Sequence, residues 1–229
     1  MELPTDKLIE LLQFADSLFP IGAFAHGAGL EYLAQAGTLS NGAELRPLIE
    51  ALLCGTLGPC DGAVLAAASR LAARADLDGV VALDRALDAM KPARQTRQAS
   101  RQMGRQTARL AAAMICDPVL QRFAELVGQG RTPGHHASAF GVVAGRKGWP
   151  AEAAAAAFLY AGAAALVSAG LRLLPLGQLE GQQILSALKP TIAALADRAS
   201  RAGVPWSFAP AMEIAAMRHA RLDNRLFRS

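Results

Sequence analysis

The side chains that could do chemistry are few in this chain, and none has the spacing of a known reactive centre. The histidines are His26, His135, His136 and His219. Adjacent His135 and His136 would project about 100° apart on a helix, so they do not form the i,i+4 pair of a metal site. Cys54 and Cys60 are not spaced as C-x-x-C, and Cys116 is isolated. We therefore expect no catalytic residue and no metal ligand set.

Phosphate-binding loops are also missing from the sequence. The stretch nearest to a Walker A motif, Gly141–Gly148, has the wrong glycine spacing and no hydroxyl after its lysine. The glycines of Gly128–Gly134 are not preceded by a predicted strand, as a dinucleotide loop requires. The sequence predicts that this chain hydrolyses no nucleotide by itself and holds no cofactor.

One basic feature stands out against a modest net charge of +4. Five arginines recur at intervals of three or four and would line one face of a single helix: Arg94, Arg97, Arg101, Arg105 and Arg109. A solvated face, a docking surface for an acidic partner and a nucleic-acid stripe are the three interpretations. The third is the weakest, because no aromatic residues interleave with the arginines.

The two ends of the chain carry residue types that anchor interfaces. Phe19–Phe24 places two aromatics on a short turn, and the last residues mix arginine with Leu226 and Phe227. A frayed polar tail normally lacks such apolar residues. Two alternatives stay open: residues 220–229 and the N-terminal segment become ordered when a partner binds, or the tail docks back onto its own domain.

The elements that must position these residues are predicted to be helices throughout. Alanine abounds, whereas β-branched and aromatic residues are sparse. We predict one all-α domain over residues 1–229, with about ten helices packed around a central Ala-rich helix. The predicted helices are Asp6–Phe19, Phe24–Ala36, Gly42–Leu57, Asp61–Ala75, Leu77–Met90, Ala93–Cys116, Pro118–Gly128, His135–Arg146, Pro150–Leu171, Leu179–Ala202 and Pro210–His219. Breaks are expected at glycine and proline, including Gly58-Pro59.

Composition narrows the class of protein further. Hydrophobic residues make up 52% and charged residues 18% of the chain, which excludes intrinsic disorder. Three cysteines and a start without a basic region before an apolar core favour a reduced, cytoplasmic protein. The uncharged stretch Ala153–Leu171 favours a buried helix over a membrane span, since alanine and glycine dominate it.

Four short motifs, in order along the chain, resemble the urease accessory protein UreF family. They are Ser17–Phe24 (SLFPIGAF) with Gly29–Glu31 (GLE), Ala99–Arg105 (ASRQMGR), Arg172–Gln178 (RLLPLGQ) with Gly181-Gln182, and His219 with Arg225–Ser229 (RLFRS). Each is weak alone. Together, with a matching length and helical composition, they make the resemblance specific.

The resemblance implies a non-enzymatic maturation factor for a nickel enzyme. Similar proteins are all-α homodimers that bind the accessory protein UreD, also called UreH, and recruit the GTPase UreG to urease apoprotein. Nickel and GTP would be handled by that complex, and neither nucleic acid nor a membrane would be a partner. The absence of a phosphate loop and a metal cluster fits this role.

The resemblance also implies where partners bind. The Phe19–Phe24 region and the Arg225–Ser229 tail would contact UreD, and a surface near the dimer axis with Gln178 and Gln182 would receive UreG. The residues assigned to partner binding are Phe19, Pro20, Gly22, Phe24, Glu31, Gln178, Gln182, Arg221, Arg225, Leu226, Phe227 and Arg228. An alternative is that a tail arginine stabilises phosphoryl transfer in the GTPase.

Overall fold

The computed structural model describes residues 3–228, and every regular element in that range is helical. The helices are α1 (Thr5–Ala15), α2 (Leu30–Gln35), α3 (Gly42–Leu52), α4 (Ala63–Ala73), α5 (Leu77–Ala89), α6 (Arg94–Met114), α7 (Pro118–Gly128), α8 (His136–Lys147), α9 (Ala151–Leu173), α10 (Gln178–Arg201) and α11 (Pro210–His219). A π-helical segment, Leu53–Gly62, joins α3 and α4 into one rod, so the described chain forms ten continuous helices. The predicted all-α class is confirmed.

The predicted break at Gly58-Pro59 is wrong, because the π-helical segment carries the rod through it. The ring of a proline inside an α-helix clashes with the carbonyl four residues earlier, here that of Gly55. The longer i→i+5 register relieves this clash. The carbonyl of Gly55 instead accepts a hydrogen bond from the N–H of Phe208 at 2.7 Å, and that of Pro59 accepts one from Trp206 at 3.3 Å. The segment that leads into α11 is thereby fixed on the rod.

The first predicted helix, Asp6–Phe19, is too long. The helix ends at Ala15, since Asp16 is extended and its carboxylate accepts the N–H of Leu18 at 2.6 Å. This local turn competes with the last helical hydrogen bonds. The residues that follow are therefore free to form an irregular segment.

The second predicted helix, Phe24–Ala36, is also wrong over its first half. A 3₁₀ turn covers Ala23–Ala25, and α2 begins only after Ala28 and Gly29, which have φ values of 49° and 90°. A Cβ at Gly29 would lie 2.7 Å from the backbone nitrogen of Ala216 in α11. The left-handed glycine thus lets α2 approach α11 closely, which packs the C-terminal helix against this N-terminal region.

The centre of the core is shared by α8 and the Ala-rich α9. Every residue from 137 to 144 of α8 is buried. Its glycines let α4 approach at backbone distance: a Cβ at Gly141 would lie 2.4 Å from the carbonyl oxygen of Leu65, and one at Gly145 would lie 2.2 Å from that of Ser69. The α9 helix packs against α1, α2, α3, α4, α8 and α10. Small residues make this close packing possible.

Two helices are long and apolar enough to cross a membrane by length and composition. Gly42–Ala73 has a mean hydropathy of 1.5 and Ala151–Leu173 one of 1.8 in their most apolar windows. Of these windows, 61% and 50% are buried inside the fold. Core helices of soluble proteins pass the same test, so these helices are weak evidence for a membrane span.

Candidate functional site

The C-terminal tail meets α2 at the carboxylate of Glu31. This carboxylate accepts hydrogen bonds from Nε2 of His219 at 2.8 Å, from the N–H of Leu226 at 2.6 Å and from the N–H of Phe227 at 3.0 Å. Glu31 is 2% exposed and His219 is 0% exposed. Burial raises the pKa of Glu31, but the three hydrogen bonds together lower it below its ordinary value. Glu31 is therefore an anionic anchor for the tail.

Arg172, near the end of α9, connects the N-terminal segment to the same tail. Its guanidinium donates a hydrogen bond to the carbonyl oxygen of Phe24 at 2.6 Å. Its Cζ lies 4.2 Å from the centroid of the Phe227 ring, in cation–π geometry. The N–H of Arg228 donates to the carbonyl oxygen of Ala25 at 2.8 Å, and this hydrogen bond joins the tail directly to the N-terminal segment. The side chain of Arg172 thus contacts both the N-terminal segment and the C-terminal tail.

We call the residues that make these contacts the terminal cluster: Phe24, Ala25, Glu31, Arg172, His219, Leu226, Phe227 and Arg228. Two contacts beside the cluster fix the tail along α2. Arg218 donates to the hydroxyl of Tyr32 at 2.9 Å, and Gln35 donates to the carbonyl oxygen of Asn224 at 3.1 Å. Residues 224–228 therefore dock onto their own domain in the single chain.

The structure separates the residues predicted to bind partners into two groups. The cluster contains Phe24, Glu31, Leu226, Phe227 and Arg228, whereas Phe19, Pro20, Gly22, Gln178, Gln182, Arg221 and Arg225 lie outside it. Phe19, Glu31 and Phe227 are buried, and the rest are exposed. Ser229 lies outside the described residues. Partner binding by these residues stays a prediction.

A cavity of ≈ 1140 Å³ lies beside the terminal cluster. Its lining includes Phe19, Phe24, Arg172, Gln178 and Gln182, together with the small residues on one face of α9. The two glutamines predicted to receive a partner thus share a cavity with the N-terminal segment. The cavity is lined mainly by apolar side chains, with a few polar and charged groups such as Asp61 and Lys91, a composition typical of binding sites.

Apolar side chains are exposed near this cavity. Leu18 is 87% exposed, Phe24 is 45% exposed and Leu226 is 59% exposed. Phe24 and Leu226 belong to the two segments that Arg172 and Glu31 hold together. Grouped exposed apolar side chains of this kind are typical of surfaces that contact other proteins.

The Ala99–Arg105 motif positions the loop that leads into α8. The hydroxyl of Ser100 lies 3.0 Å from Nδ1 of His135, and Nε2 of His135 lies 2.8 Å from the carboxylate of Asp88. Arg101 donates to both oxygens of Asp88, at 2.8 Å and 2.6 Å. Burial lowers the pKa of His135, which fits a neutral ring that donates to Asp88 and accepts from Ser100. These hydrogen bonds join the residue before α8 to α5 and α6.

Gly104 of the same motif has no room for a side chain. A Cβ there would lie 2.2 Å from the carbonyl oxygen of Gly134 and 2.5 Å from the backbone nitrogen of His136. The buried carboxylate of Asp84 holds the loop from the other side, accepting from the hydroxyl of Thr132 and the N–H of Gly134, each at 2.6 Å. The motif therefore lets α6 pack closely against the start of α8.

Within residues 3–228, no group of three or more His, Cys, Asp or Glu side chains is arranged to hold a metal ion. His136 packs against the rings of Phe140 and Phe158, and burial lowers its pKa to about 4. Burial also raises the pKa of the Cys60 thiol to about 12, so this cysteine is an inert core residue. Cys54 and Cys116 are exposed.

The five arginines of α6 do not act as one surface. Arg97 donates to the carbonyl oxygen of Lys91 at 2.5 Å, and Arg101 pairs with Asp88. Arg94, Arg105 and Arg109 are exposed. All five lie on α6, as predicted, but Arg97 and Arg101 hold the chain between α5 and α6 in place.

The sequence analysis named Arg172 only as part of a motif and gave no role to Tyr32 or Gln35. One signal could have identified Arg172: it is the first charged residue after the nineteen uncharged residues of Ala153–Leu171. A lone charge at the end of an apolar helix usually has a specific partner. Tyr32 and Gln35 carry no comparable signal.

Comparison with known proteins matches residues 39–189 to a family model named UreF. The chain is 33% identical over 225 residues to a urease accessory protein UreF from Actinobacillus pleuropneumoniae, covering 97% of this chain and 99% of the relative. It is 35% identical to one from Arthrobacter sp. (strain FB24), covering 96% of each chain, and 31% identical to one from Bacillus sp. (strain TB-90), covering 98% and 100%. The similarity covers nearly the whole length of the chain.

Proposed function

Because this chain belongs to the UreF family of urease accessory proteins, we propose that it is a non-enzymatic scaffold for urease maturation. It binds the accessory protein UreD, or UreH, and the GTPase UreG, and with them it promotes GTP-dependent insertion of nickel into urease apoprotein. Nickel is the cargo of this complex, and UreG supplies GTP hydrolysis. The scaffold acts as a homodimer in the cytoplasm.

The terminal cluster is the observation that supports this proposal most. Glu31 and Arg172 hold the N-terminal segment and the tail together, so Phe24 and Leu226 belong to one joined region with exposed apolar side chains. Such a region, held by the buried carboxylate of Glu31 and by the exposed guanidinium of Arg172, is pre-organised for another protein.

The proposed partner assignments come from the family, and the exposure of the segments concerned supports them. UreD would bind the Phe19–Phe24 segment and the tail, where Phe24, Leu226 and Arg228 are exposed. UreG would bind near Gln178 and Gln182 at the rim of the cavity. These sites lie side by side, so one scaffold could hold both partners.

The test is co-purification followed by a nickel measurement. The full chain is expressed with the urease operon from which its own family member has been deleted. We expect UreD and UreG to be retained with it, and urease to regain both bound nickel and activity. Urease that carries its full nickel content without the chain, or a chain that retains neither partner, would refute the proposal.

The exposed arginines of the tail are the basis of a second candidate function, which is to stabilise phosphoryl transfer in the GTPase. Arg221 and Arg225 are exposed and form no ion pair among residues 3–228, so either guanidinium could reach a bound GTPase and stabilise phosphoryl transfer. Single substitutions of Arg221, Arg225 and Arg228 separate the roles. A fall in GTP turnover by an intact complex supports catalysis, whereas a loss of assembly alone supports docking.

A further inference from the structure

The solvent-facing side of α6 is an unusual surface. Its exposed residues are Arg94, Gln98, Gln102, Arg105 and Arg109. At about 100° per residue, these five positions lie within about 80° of one another around the helix axis. We call this surface the arginine face. The whole of α6 contains neither an acidic residue nor an aromatic one.

The charges on this face are not compensated by the chain itself. Arg94 and Arg105 form neither an ion pair nor a side-chain hydrogen bond in the described part of the chain, and Arg109 donates only to the neutral Gln106. Arg105 and Arg109 stand at i,i+4, a spacing at which like charges destabilise a helix. A merely solvated helix gains from mixed charges, so three uncompensated arginines on one face favour an acidic ligand.

The face also adjoins the candidate partner site. Nε2 of Gln102 lies 4.0 Å from the position that a Cβ at Gly22 would take. Gly22 belongs to the N-terminal segment that Arg172 holds through Phe24. In addition, α11 packs against α6. A partner bound at the terminal cluster would therefore lie beside the arginine face.

We propose that the arginine face binds an acidic segment of a protein in the urease maturation complex, an inference that rests on the proposed function. Planar guanidinium groups bind carboxylates through two parallel hydrogen bonds, and the flanking Gln98 and Gln102 add donors at the same face. A protein ligand is favoured over nucleic acid because the face has no aromatic side chain for base stacking and only three free arginines.

The first test is a charge reversal with a matched control. The variant R94E/R105E/R109E changes the face, and R46E/R74E/R198E changes three other exposed arginines without ion pairs among residues 3–228. Each full-length variant is co-expressed with the urease operon, and the retained accessory proteins are quantified. We expect the face variant to retain about tenfold less of the accessory protein that carries the acidic segment than the unmodified chain retains. The control variant should retain the same protein within about twofold of the unmodified chain.

The second test identifies the ligand chemistry directly. R94K/R105K/R109K keeps the charge and adds three amines to a chain that has only four lysines. A carbodiimide couples amines to carboxylates without a spacer but does not couple arginine. We expect new cross-links from positions 94, 105 or 109 to Asp or Glu of a complex protein, which mass spectrometry locates. Cross-links confined to the original lysines would overturn the proposal.

The remaining outcomes are distinct. If the unmodified chain neither retains partners nor restores nickel loading, the proposed function itself fails. If it does both and the face variant does them equally well, only the arginine-face inference fails. Equal losses in the face and control variants would show an effect of net charge and overturn the inference, as would tighter binding of a duplex DNA probe than of an oligoglutamate probe by the unmodified chain.

Discussion

Nε2 of His219 lies 2.8 Å from the carboxylate of Glu31, although 188 residues separate the two in sequence. Both side chains are buried, and the carboxylate also accepts hydrogen bonds from the backbone N–H groups of Leu226 and Phe227 and a longer one, at 3.5 Å, from the amide of Gln35. The end of α11, the tail and α2 therefore share a single polar anchor. Because a buried carboxylate without such donors is costly, the anchor and the tail stabilise one another.

The first prediction concerns this anchor. Replacing Glu31 with Gln keeps the shape of the side chain but removes its charge and points an amide N–H toward a donor. We expect the amides of Leu226 and Phe227 to exchange hydrogen faster and the free energy of unfolding to fall by about 1–3 kcal/mol. Hydrogen exchange and urea denaturation of the full chain measure these effects. Glu152→Gln, at an exposed position on α9, should change the free energy of unfolding by less than about 0.5 kcal/mol.

The second prediction concerns Arg172 as the connection between the chain ends. Replacing it with Met removes the hydrogen bond to the Phe24 carbonyl and the cation–π contact with Phe227. We expect residues 23–25 and 226–228 to exchange hydrogen faster together, with a loss of about 1 kcal/mol in stability and weaker co-purification of UreD.

Lysine at the same position tests the geometry of the guanidinium. Arg172→Lys keeps the charge but lacks the planar guanidinium. We therefore expect it to retain only part of the protection from hydrogen exchange, and of the co-purification of UreD, that Arg172→Met loses. Arg198→Met, at an exposed site on α10, serves as the control and should leave both segments unchanged. Faster exchange in only one of the two segments would contradict the role of Arg172 as a connection between them.

The third prediction concerns the close packing of α6. Gly104→Ala would place a methyl group 2.2 Å from the carbonyl oxygen of Gly134, where backbone on both sides prevents relaxation. We expect a loss of about 3 kcal/mol or more in the free energy of unfolding. Gly128→Ala is the matched control, because nothing lies within 4 Å of its Cβ position. It should be neutral or slightly stabilising in urea denaturation.

Helices whose ends carry strong local signals could be predicted from the sequence. From the end of α4 onward, every predicted boundary lies within two residues of the observed one. In α7, Pro118 occupies the first turn and Asp117 caps it by accepting the N–H groups of Val119 and Leu120. The N-terminal region was predicted poorly, because the turn at Asp16 and the positive φ of Ala28 override a helical hydrophobic pattern.

The terminal cluster could be predicted only in part. The residue types at the two ends indicated an interface, and the resemblance named most of the residues. The pairing of Glu31 with His219 and the position of Arg172 between Phe24 and Phe227 depend on how distant helices pack. No local pattern encodes such contacts, since they form between elements far apart in sequence. For the same reason, the packing role of Gly104 was not evident.

The last prediction concerns the pH dependence of stability. His136 is only partly exposed and packs against the rings of Phe140 and Phe158, and this burial lowers its pKa from 6.5 to about 4. The unfolded chain therefore binds a proton at this residue before the folded protein does. The resulting stability is complete above pH 6.5 and is lost as the pH falls from 6.5 to about 4, by about 3 kcal/mol from this residue.

Two variants isolate this effect. His136→Leu removes the titrating ring, whereas Phe158→Leu alters the packing beside it, 5.0 Å from the imidazole centroid, and keeps the histidine. We expect urea denaturation between pH 7 and pH 4 to show a shallower loss of stability for His136→Leu than for the unmodified chain. Phe158→Leu should keep the original slope. Burial also lowers the pKa of His135, which accounts for part of the slope that remains in His136→Leu. An unchanged slope in that variant would contradict the prediction, because it would show that the pKa of His136 is the same in the folded and unfolded chain.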